Sequence, residues 1–446
     1  MSASISASDT GSKMDPTRRL VMKGAAAFAA SFTSQTARAA ELQRADTGAR
    51  TLQDIARDEA VWRPIAAQYD VTPDMVNFEN GYWGVMAKPV LDAFIRNTAK
   101  VNRDNSWYAR RSYFSDIEPI HARLADFLGA GRDEVVFTRN ATEALQVLID
   151  GYTRLNRGDA VMYCDLDYDS IQTAMDTKAR RADASVVRIT IPEPVTHDGL
   201  IETYRDALIA HPNVRLLLLT HISHRTGLMI PVREIVDMAR GYGVDCIVDA
   251  AHSWGQTDFR IEDLGADFVG FNLHKWIGAP IGAGLIYIRR NRLEHIAPDM
   301  SEKPDGVGMI HHRIHTGTTN FATFLTLGDA LDFHECVGPA HKAARVAYLR
   351  DLWAEEMRSD DRIEILTPAD RRLHAAITSF RFRGVTSVDG NKAIVKALVD
   401  KHRIFTVHRG GAARGACVRV TPTLYNTPDQ CVRLVQALRA LLADLP

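Results

Sequence analysis

An apolar run, Cys246-Ile247-Val248, ends in a carboxylate at Asp249 and continues as Ala250-Ala251-His252. Open α/β sheets bind ligands outside the carboxyl ends of their strands, so an acid at that point is a candidate site residue. A second apolar run closes at Asn272-Leu273. His274-Lys275-Trp276 follow it, ahead of a glycine-rich turn, Gly278-Ala279-Pro280-Ile281-Gly282. A lysine at a strand end among apolar and aromatic neighbours loses hydration, which favours its neutral amine. That amine is a nucleophile, able to join a carbonyl compound as a Schiff base. Read together, the two residues describe one cofactor chemistry. Pyridoxal 5'-phosphate (PLP) held by Lys275, with its ring nitrogen kept protonated by Asp249, acts as an electron sink. Alone, each means less: a strand-end Asp is commonly a turn or cap residue, and a His-Lys pair is commonly solvated surface.

These residues need a scaffold, and the chain between about residues 90 and 290 supplies one. Short apolar runs there predict strands at Glu134–Thr138, Ala160–Cys164, Ser185–Ile189, Arg215–Thr220, Asp245–Asp249 and Phe268–Asn272. Gly282–Ile288 makes a seventh, with an antiparallel option. Amphipathic stretches such as Thr142–Tyr152 and Pro231–Tyr242 alternate with them, the pattern of a mostly parallel sheet covered by helices. Beyond Asn291 the pattern changes. Helices are predicted at Ala322–Glu335, Pro339–Met357, Lys392–Lys401 and Pro428–Leu442, with short strands at Ile377–Phe382 and Val418–Thr421. The expected organisation is a helical arm at 40–70, a large α/β domain at 71–300 and a small α+β domain at 301–446.

The order Asp249-Ala-Ala-His252, then His274-Lys275, resembles the class V aminotransferases of PLP fold type I, most closely their isopenicillin N epimerase-like branch. The resemblance covers about residues 60–440 and implies the PLP-dependent transferase fold, aspartate aminotransferase-like. It implies site residues as well. Asn140-Ala141-Thr142 opens a helix whose N-terminus would hold the cofactor phosphate, with Thr142 as a candidate cap. Tyr168, in Asp165-Leu166-Asp167-Tyr168, matches the aromatic that stacks on the cofactor ring. His224 stands where the family often has Asn, so the ring-hydroxyl contact falls to His224 or His252; His274 adjoins the anchor. Thr318, in His315-Thr316-Gly317-Thr318-Thr319-Asn320, matches the segment that reaches a neighbouring subunit's phosphate, which implies a homodimer. Arg419 matches the arginine that grips a substrate α-carboxylate through a planar fork, and Arg409 and Arg414 are near enough in sequence to share the job. Asn80, in Asn80-Gly81-Tyr82-Trp83-Gly84, matches a loop over the substrate. Arg111, beside Arg110, Trp107, Tyr108 and Tyr113, is a candidate contact for a distal acidic group, or equally part of an exposed basic loop.

The implied activity is chemistry at the α-carbon and amino group of an amino-acid-type small molecule. Lys275 is then both anchor and general base. Aminotransfer and epimerisation lead; a C–S or β-elimination lyase is the alternative, and an inactive PLP-binding scaffold is the reading from another class. A cysteine desulfurase needs a Cys on a mobile loop, and neither Cys336 nor Cys417 sits in a recognisable one. A metal hydrolase built on His221, His224, His252, His311, His312 and His315 lacks any HExxH or His-x-His arrangement.

Composition bounds the rest. The chain has 446 residues, 46% hydrophobic and 24% charged, which are ordinary globular values. Its formal charge of −1 provides no field for nucleic acid or an anionic membrane. The five cysteines form no CxxC pair, and no apolar span reaches the roughly 18 residues that would suggest a membrane helix. Residues 1–39 differ in character. Arg18-Arg19 precedes a mild apolar stretch from Gly24 to Phe32 and a small-x-small site at Ala37-Arg38-Ala39. That order resembles a Tat signal, with Met1 or Met14 as the start. The expectation is periplasmic export by the Tat machinery, or a cytoplasmic protein if residues 1–39 are only a basic tail.

Overall fold

The computed structural model describes residues 50–303 and 308–444. The expected leader lies outside the described residues. What can be seen of the arm is helical, at Leu52–Arg57 and Glu59–Ala66.

Val76–Asn77 forms a short strand, β1. The main sheet follows, built from β2 (Val135–Thr138), β3 (Ala160–Cys164), β4 (Ser185–Ile189), β5 (Val214–Thr220), β6 (Asp245–Asp249), β7 (Phe268–Asn272) and β8 (Gly284–Ile288). Their spatial order is β2-β8-β7-β6-β5-β3-β4. Only β8 runs against its neighbours, which resolves the antiparallel option at the seventh strand. The inner parallel strands β3, β6 and β7 and most of β5 are apolar runs because both faces are covered, whereas the edge strand β4 carries exposed Ser185 and Arg188. In β5, Leu217 and Leu219 join a core with Met162, Val248 and Phe271, while Leu216 and Leu218 face the opposite core with Val161, Ile247 and Phe268. Each buried leucine contributes roughly 2 kcal/mol, whereas an exposed ion pair contributes about 0–1 kcal/mol, so these runs dominate the sheet's stability.

A second, antiparallel sheet has the order β12-β13-β10-β9, from β9 (Ile363–Ile365), β10 (Thr378–Phe382), β12 (Val407–Arg409) and β13 (Cys417–Val420). Its core holds Trp353, Phe380, Val418 and Leu438, from the sheet and from helices Pro339–Met357 and Pro428–Ala443. β1 pairs in parallel with β11 (Ile404–Phe405), and Glu79 bridges to Thr421, so the segment leading to Asn80 is tied to this second sheet.

The helix predicted at Ala322–Glu335 is two helices, Phe321–Leu325 and Leu327–Val337, meeting at Thr326. The Thr326 hydroxyl donates to the Ala322 carbonyl at 2.7 Å and accepts from Asn97 Nδ2 at 3.0 Å. That contact marks the break. Phe324, Leu327 and Leu331 share a core with Val135 and Leu285, so these helices support the large sheet.

Candidate active site

The carboxyl ends of β2, β3, β5, β6 and β7 converge on one cavity of about 600 Å³, closed on the far side by residues from β12 and β13. Its lining includes Asn140, Ala141, Thr142, Tyr168, His224, Asp249, His252, His274, Lys275 and Arg419. Residues spread over most of the sequence meet there because parallel strands present all their carboxyl ends on one edge.

Lys275 sits in the turn after β7. Its Nζ lies 3.0 Å from His252 Nε2, in the turn after β6. Burial pulls the Lys275 amine down to about 7; Arg419 adds to the fall and Asp249 opposes it. Burial also raises the Asp249 carboxyl, against the Ala251 N–H that donates to its Oδ1 at 2.9 Å and against the charge of Lys275. His252 and His224 are held well below the ordinary histidine value by burial, with Lys275 lowering the first and Arg225 the second. His274 is fixed by its Nδ1 contact with the Ala283 carbonyl at 2.9 Å, and burial brings it to about 4. Its own carbonyl accepts from Gly84 N–H at 2.9 Å.

The helix Ala141–Gly151 begins at the cavity. Its cap is Asn140, not Thr142: Asn140 is extended, and its Oδ1 accepts from Glu143 N–H at 2.8 Å. Thr142 lies inside the first turn, where a side chain cannot cap, and it faces the cavity. Asn272, at the end of β7, accepts from Ala141 N–H at 2.8 Å and so sets the helix start against the lysine-bearing strand. Asp167 does the same for Tyr168. It accepts from Cys164 N–H at 2.7 Å, Thr220 N–H at 3.1 Å and the Thr220 hydroxyl at 2.6 Å. Tyr168 stands half open over the cavity, edge-on to His224 at 5.1 Å.

Two expected site residues, Asn80 and Arg111, are placed differently, while Thr318 is expected at a neighbouring subunit's phosphate and not at its own. The Asn80 side chain is used within the fold, donating to the Thr421 carbonyl at 2.8 Å and accepting from the Tyr425 hydroxyl; Gly81, Tyr82 and Trp83 line the cavity instead. Arg111 is exposed, its guanidinium over the Trp107 ring at 5.1 Å, and it does not line this cavity. Thr318 is exposed and outside the cavity of its own chain. Of the other arginines considered for Arg419's role, Arg409 lines the cavity, while Arg414 donates to the Glu193 carbonyl at 2.7 Å. Arg419 is fully buried. It donates to the His224 carbonyl at 2.7 Å and pairs with Glu79 at 2.6 Å.

The residues missed in the sequence are Glu79, Asn272 and Gln256. Buried Gln256 donates to the His252 carbonyl and accepts from Ala376 N–H at 2.8 Å and Ile377 N–H at 3.2 Å, linking the His252 turn to the run-in to β10. The Arg419 partner of Glu79 and the Ala376 and Ile377 partners of Gln256 lie more than a hundred residues along the chain.

The donor set fits PLP. An acid stands for the ring nitrogen, an amine for the carbonyl, and a helix start for the phosphate. Several buried polar atoms here have no protein partner among the described residues, including Nδ1 of His224 and His252 and Nε of Arg409 and Arg419. Unsatisfied buried polar atoms around a cavity are the mark of a site shaped for a polar ligand. Among the described residues, no group of three or more His, Cys, Asp or Glu is placed to hold a metal ion.

Comparison with known proteins agrees. Isopenicillin N epimerase of Amycolatopsis lactamdurans is 26% identical over 398 residues, covering 85% of this chain and 98% of the relative. Probable cysteine desulfurase 2 of Mycobacterium leprae (strain TN) is 29% identical over 343 residues, covering 71% of this chain and 79% of its own. Among solved structures, the apo cysteine desulfurase of Thermococcus onnurineus NA1 aligns with a TM-score of 0.73 at 21% identity, covering 86% of this chain and 98% of that one. A C-DES mutant with glycine covalently linked to its PLP cofactor aligns at 0.70 and 20% identity, over 87% and 100% of the two chains. The aminotransferase class-V family model matches residues 87–434, and the chain belongs to that family.

Proposed function

We propose that this is a PLP-dependent enzyme acting at the α-carbon and amino group of an amino acid, by aminotransfer or epimerisation. The observation that carries the reading is the meeting of Lys275, His252 and Asp249 in one cavity from the ends of two adjacent parallel strands. When bound, PLP supplies the electron sink for negative charge at the α-carbon. The protein's own residues do the rest. Asp249, at the end of β6, places a carboxylate where a protonated ring nitrogen would be held. Lys275 has an amine that is substantially neutral near pH 7, so it can take the α-proton and return it. His252 Nε2, 3.0 Å away, orients that amine. Tyr168, Tyr82 and Trp83 supply the aromatic part of the cavity lining. Arg409 and Arg419 offer guanidinium groups for a carboxylate.

A lyase is the second reading, since cysteine desulfurases are among the similar proteins. Against a desulfurase that uses its own thiol, Cys417 is buried in β13, Cys336 lies on helix Leu327–Val337, and no cysteine lines the cavity. Elimination without a protein thiol stays open. An inactive scaffold would have no need of both Lys275 and Asp249 at the cavity.

The test is incubation of the PLP-loaded protein with a panel of L-amino acids in deuterated water. The expected result is Lys275-dependent exchange of the α-proton, with either a keto acid or the D-epimer as product. Release of ammonia together with loss of a β-substituent would move the assignment to a lyase. No exchange with any amino acid would overturn the proposal.

A further inference from the structure

One carboxylate held behind the cavity wall, against two of its arginines, is not explained by cofactor chemistry. The Glu79 side chain is 8% exposed, and its Oε1 lies 2.6 Å from Arg419 Nη2 and 3.8 Å from Arg409 Nη2. Its other oxygen, Oε2, is buried with no hydrogen-bond partner among the described residues. Glu79 is also held in place. Its N–H donates to Asn77 Oδ1 at 2.8 Å, its backbone bridges to Thr421, and β1 just before it pairs with β11. Two residues on, Gly81 lies so close that a Cβ there would stand 2.4 Å from Arg419 Nη2. The segment is therefore seated on the guanidinium.

The charges on this wall can be counted. Of the arginines lining the cavity, Arg139 pairs with Glu143, and Arg225 pairs with Asp169 at 2.5 Å. Arg409 and Arg419 remain, with Glu79 between them. Two cations and one anion leave a single positive charge.

We propose that Glu79 is a specificity-determining residue, which leaves this wall able to accept one substrate carboxylate and turns a second away. This rests on the reading that the substrate is an amino acid. A lone α-carboxylate completes the charge balance with Arg409 and Arg419. A second carboxylate within reach of the same arginines meets Glu79 as a like charge in a desolvated place, where repulsion is strong. The substrate class is then an amino acid with no second acid close to its reacting carbon. Glu79 acts from behind the lining, through its contacts with Arg419 and Arg409, whereas the Arg111 guanidinium lies over the Trp107 ring and outside the cavity.

The test compares propionate with succinate, one and two carboxylates on similar chains, by calorimetric titration of the PLP-loaded wild type, Glu79→Gln and Glu79→Asp. Gln keeps an oxygen for Arg419 and removes the charge, while Asp keeps the charge. The expected result is that wild type and Glu79→Asp prefer propionate. Glu79→Gln shifts the ratio toward succinate by about tenfold or more, the effect of removing one nearby like charge. An unchanged ratio, equal weakening of both acids in Glu79→Gln, or no binding of either acid to wild type would overturn the proposal. The ratio does not depend on turnover, so it separates this inference from the reaction assignment. Absence of a cofactor absorption band in the wild type would instead count against the PLP reading.

Discussion

Gly84 illustrates how tightly single residues are constrained around the anchor. A Cβ at this position would stand 2.1 Å from the Lys275 carbonyl oxygen, a backbone atom that cannot swing aside. Gly84→Ala must therefore push the loop away from the lysine-bearing turn, and overpacking of this kind costs about 1–3 kcal/mol. The expected outcome is a lowered Tm of the cofactor-free protein together with weaker PLP loading. An alanine variant with wild-type Tm and loading would show that the contact is dispensable. At this scale the sequence was readable where a residue's neighbours announce its setting. Lys275 and Asp249 each end an apolar run, and both reach the cavity. The helix start near Asn140 is legible as a region, but the sequence points to Thr142 as the cap, two residues past Asn140. Glu79 and Asn272 are not legible as site residues, because the groups they hold, Arg419 and Ala141, lie far along the chain; Gln256 holds the nearby His252 carbonyl, but its link to Ala376 does not show in the sequence.

Elements were most legible where burial on two sides forces an unbroken apolar run. β3, β6 and β7 begin and end at the residues predicted, as does the less buried edge strand β4, and β8 matches with its direction left open by the sequence. β9 and β12, three residues each, have too few positions for a period to show. The break at Thr326 does not show in the apolar periodicity, which runs on through it, and the Asn97 contact beside it comes from another helix. One further helix feature bears on the site. Lys342, on helix Pro339–Met357, is buried and donates to the carbonyl of Trp276, next to Lys275, with His334 Nδ1 at 3.5 Å. Burial lowers its amine to about 7. Between about pH 7 and 10.5 the unfolded chain binds a proton at this lysine that the folded chain does not. Unfolding then takes up a proton, so Lys342 contributes more to stability as pH rises through that window. Buried cysteines shift the opposite way, so the comparison is between variants. Lys342→Met is expected to cost least near pH 7 and progressively more toward about pH 9.5 in urea unfolding of the cofactor-free protein. A cost that does not change with pH would mean that the folded chain keeps Lys342 charged throughout.

At the scale of the whole molecule, the seven-stranded and the four-stranded sheet of the described residues share one cavity. The alternation of strand and helix signals was enough to give the α/β class, since a parallel sheet needs its crossovers. The second sheet was visible only in part, through β10 and β13. Helices at 321–337, grouped by sequence with the small domain, instead pack into the core of the large sheet. What the fold achieves is a meeting of distant segments. Gly81 to Trp83, the ends of five strands of the large sheet, and Arg409 with Arg419 from the small sheet all face the same space. The central claim is that this space holds PLP on Lys275. The most direct test is borohydride reduction of the PLP-loaded protein, followed by peptide mass analysis, with Lys275→Ala alongside. The expected result is a visible absorption band that reduction removes, a pyridoxyl adduct on Lys275, and neither band nor adduct in the variant. An adduct on another lysine, or a band that survives Lys275→Ala, would contradict it.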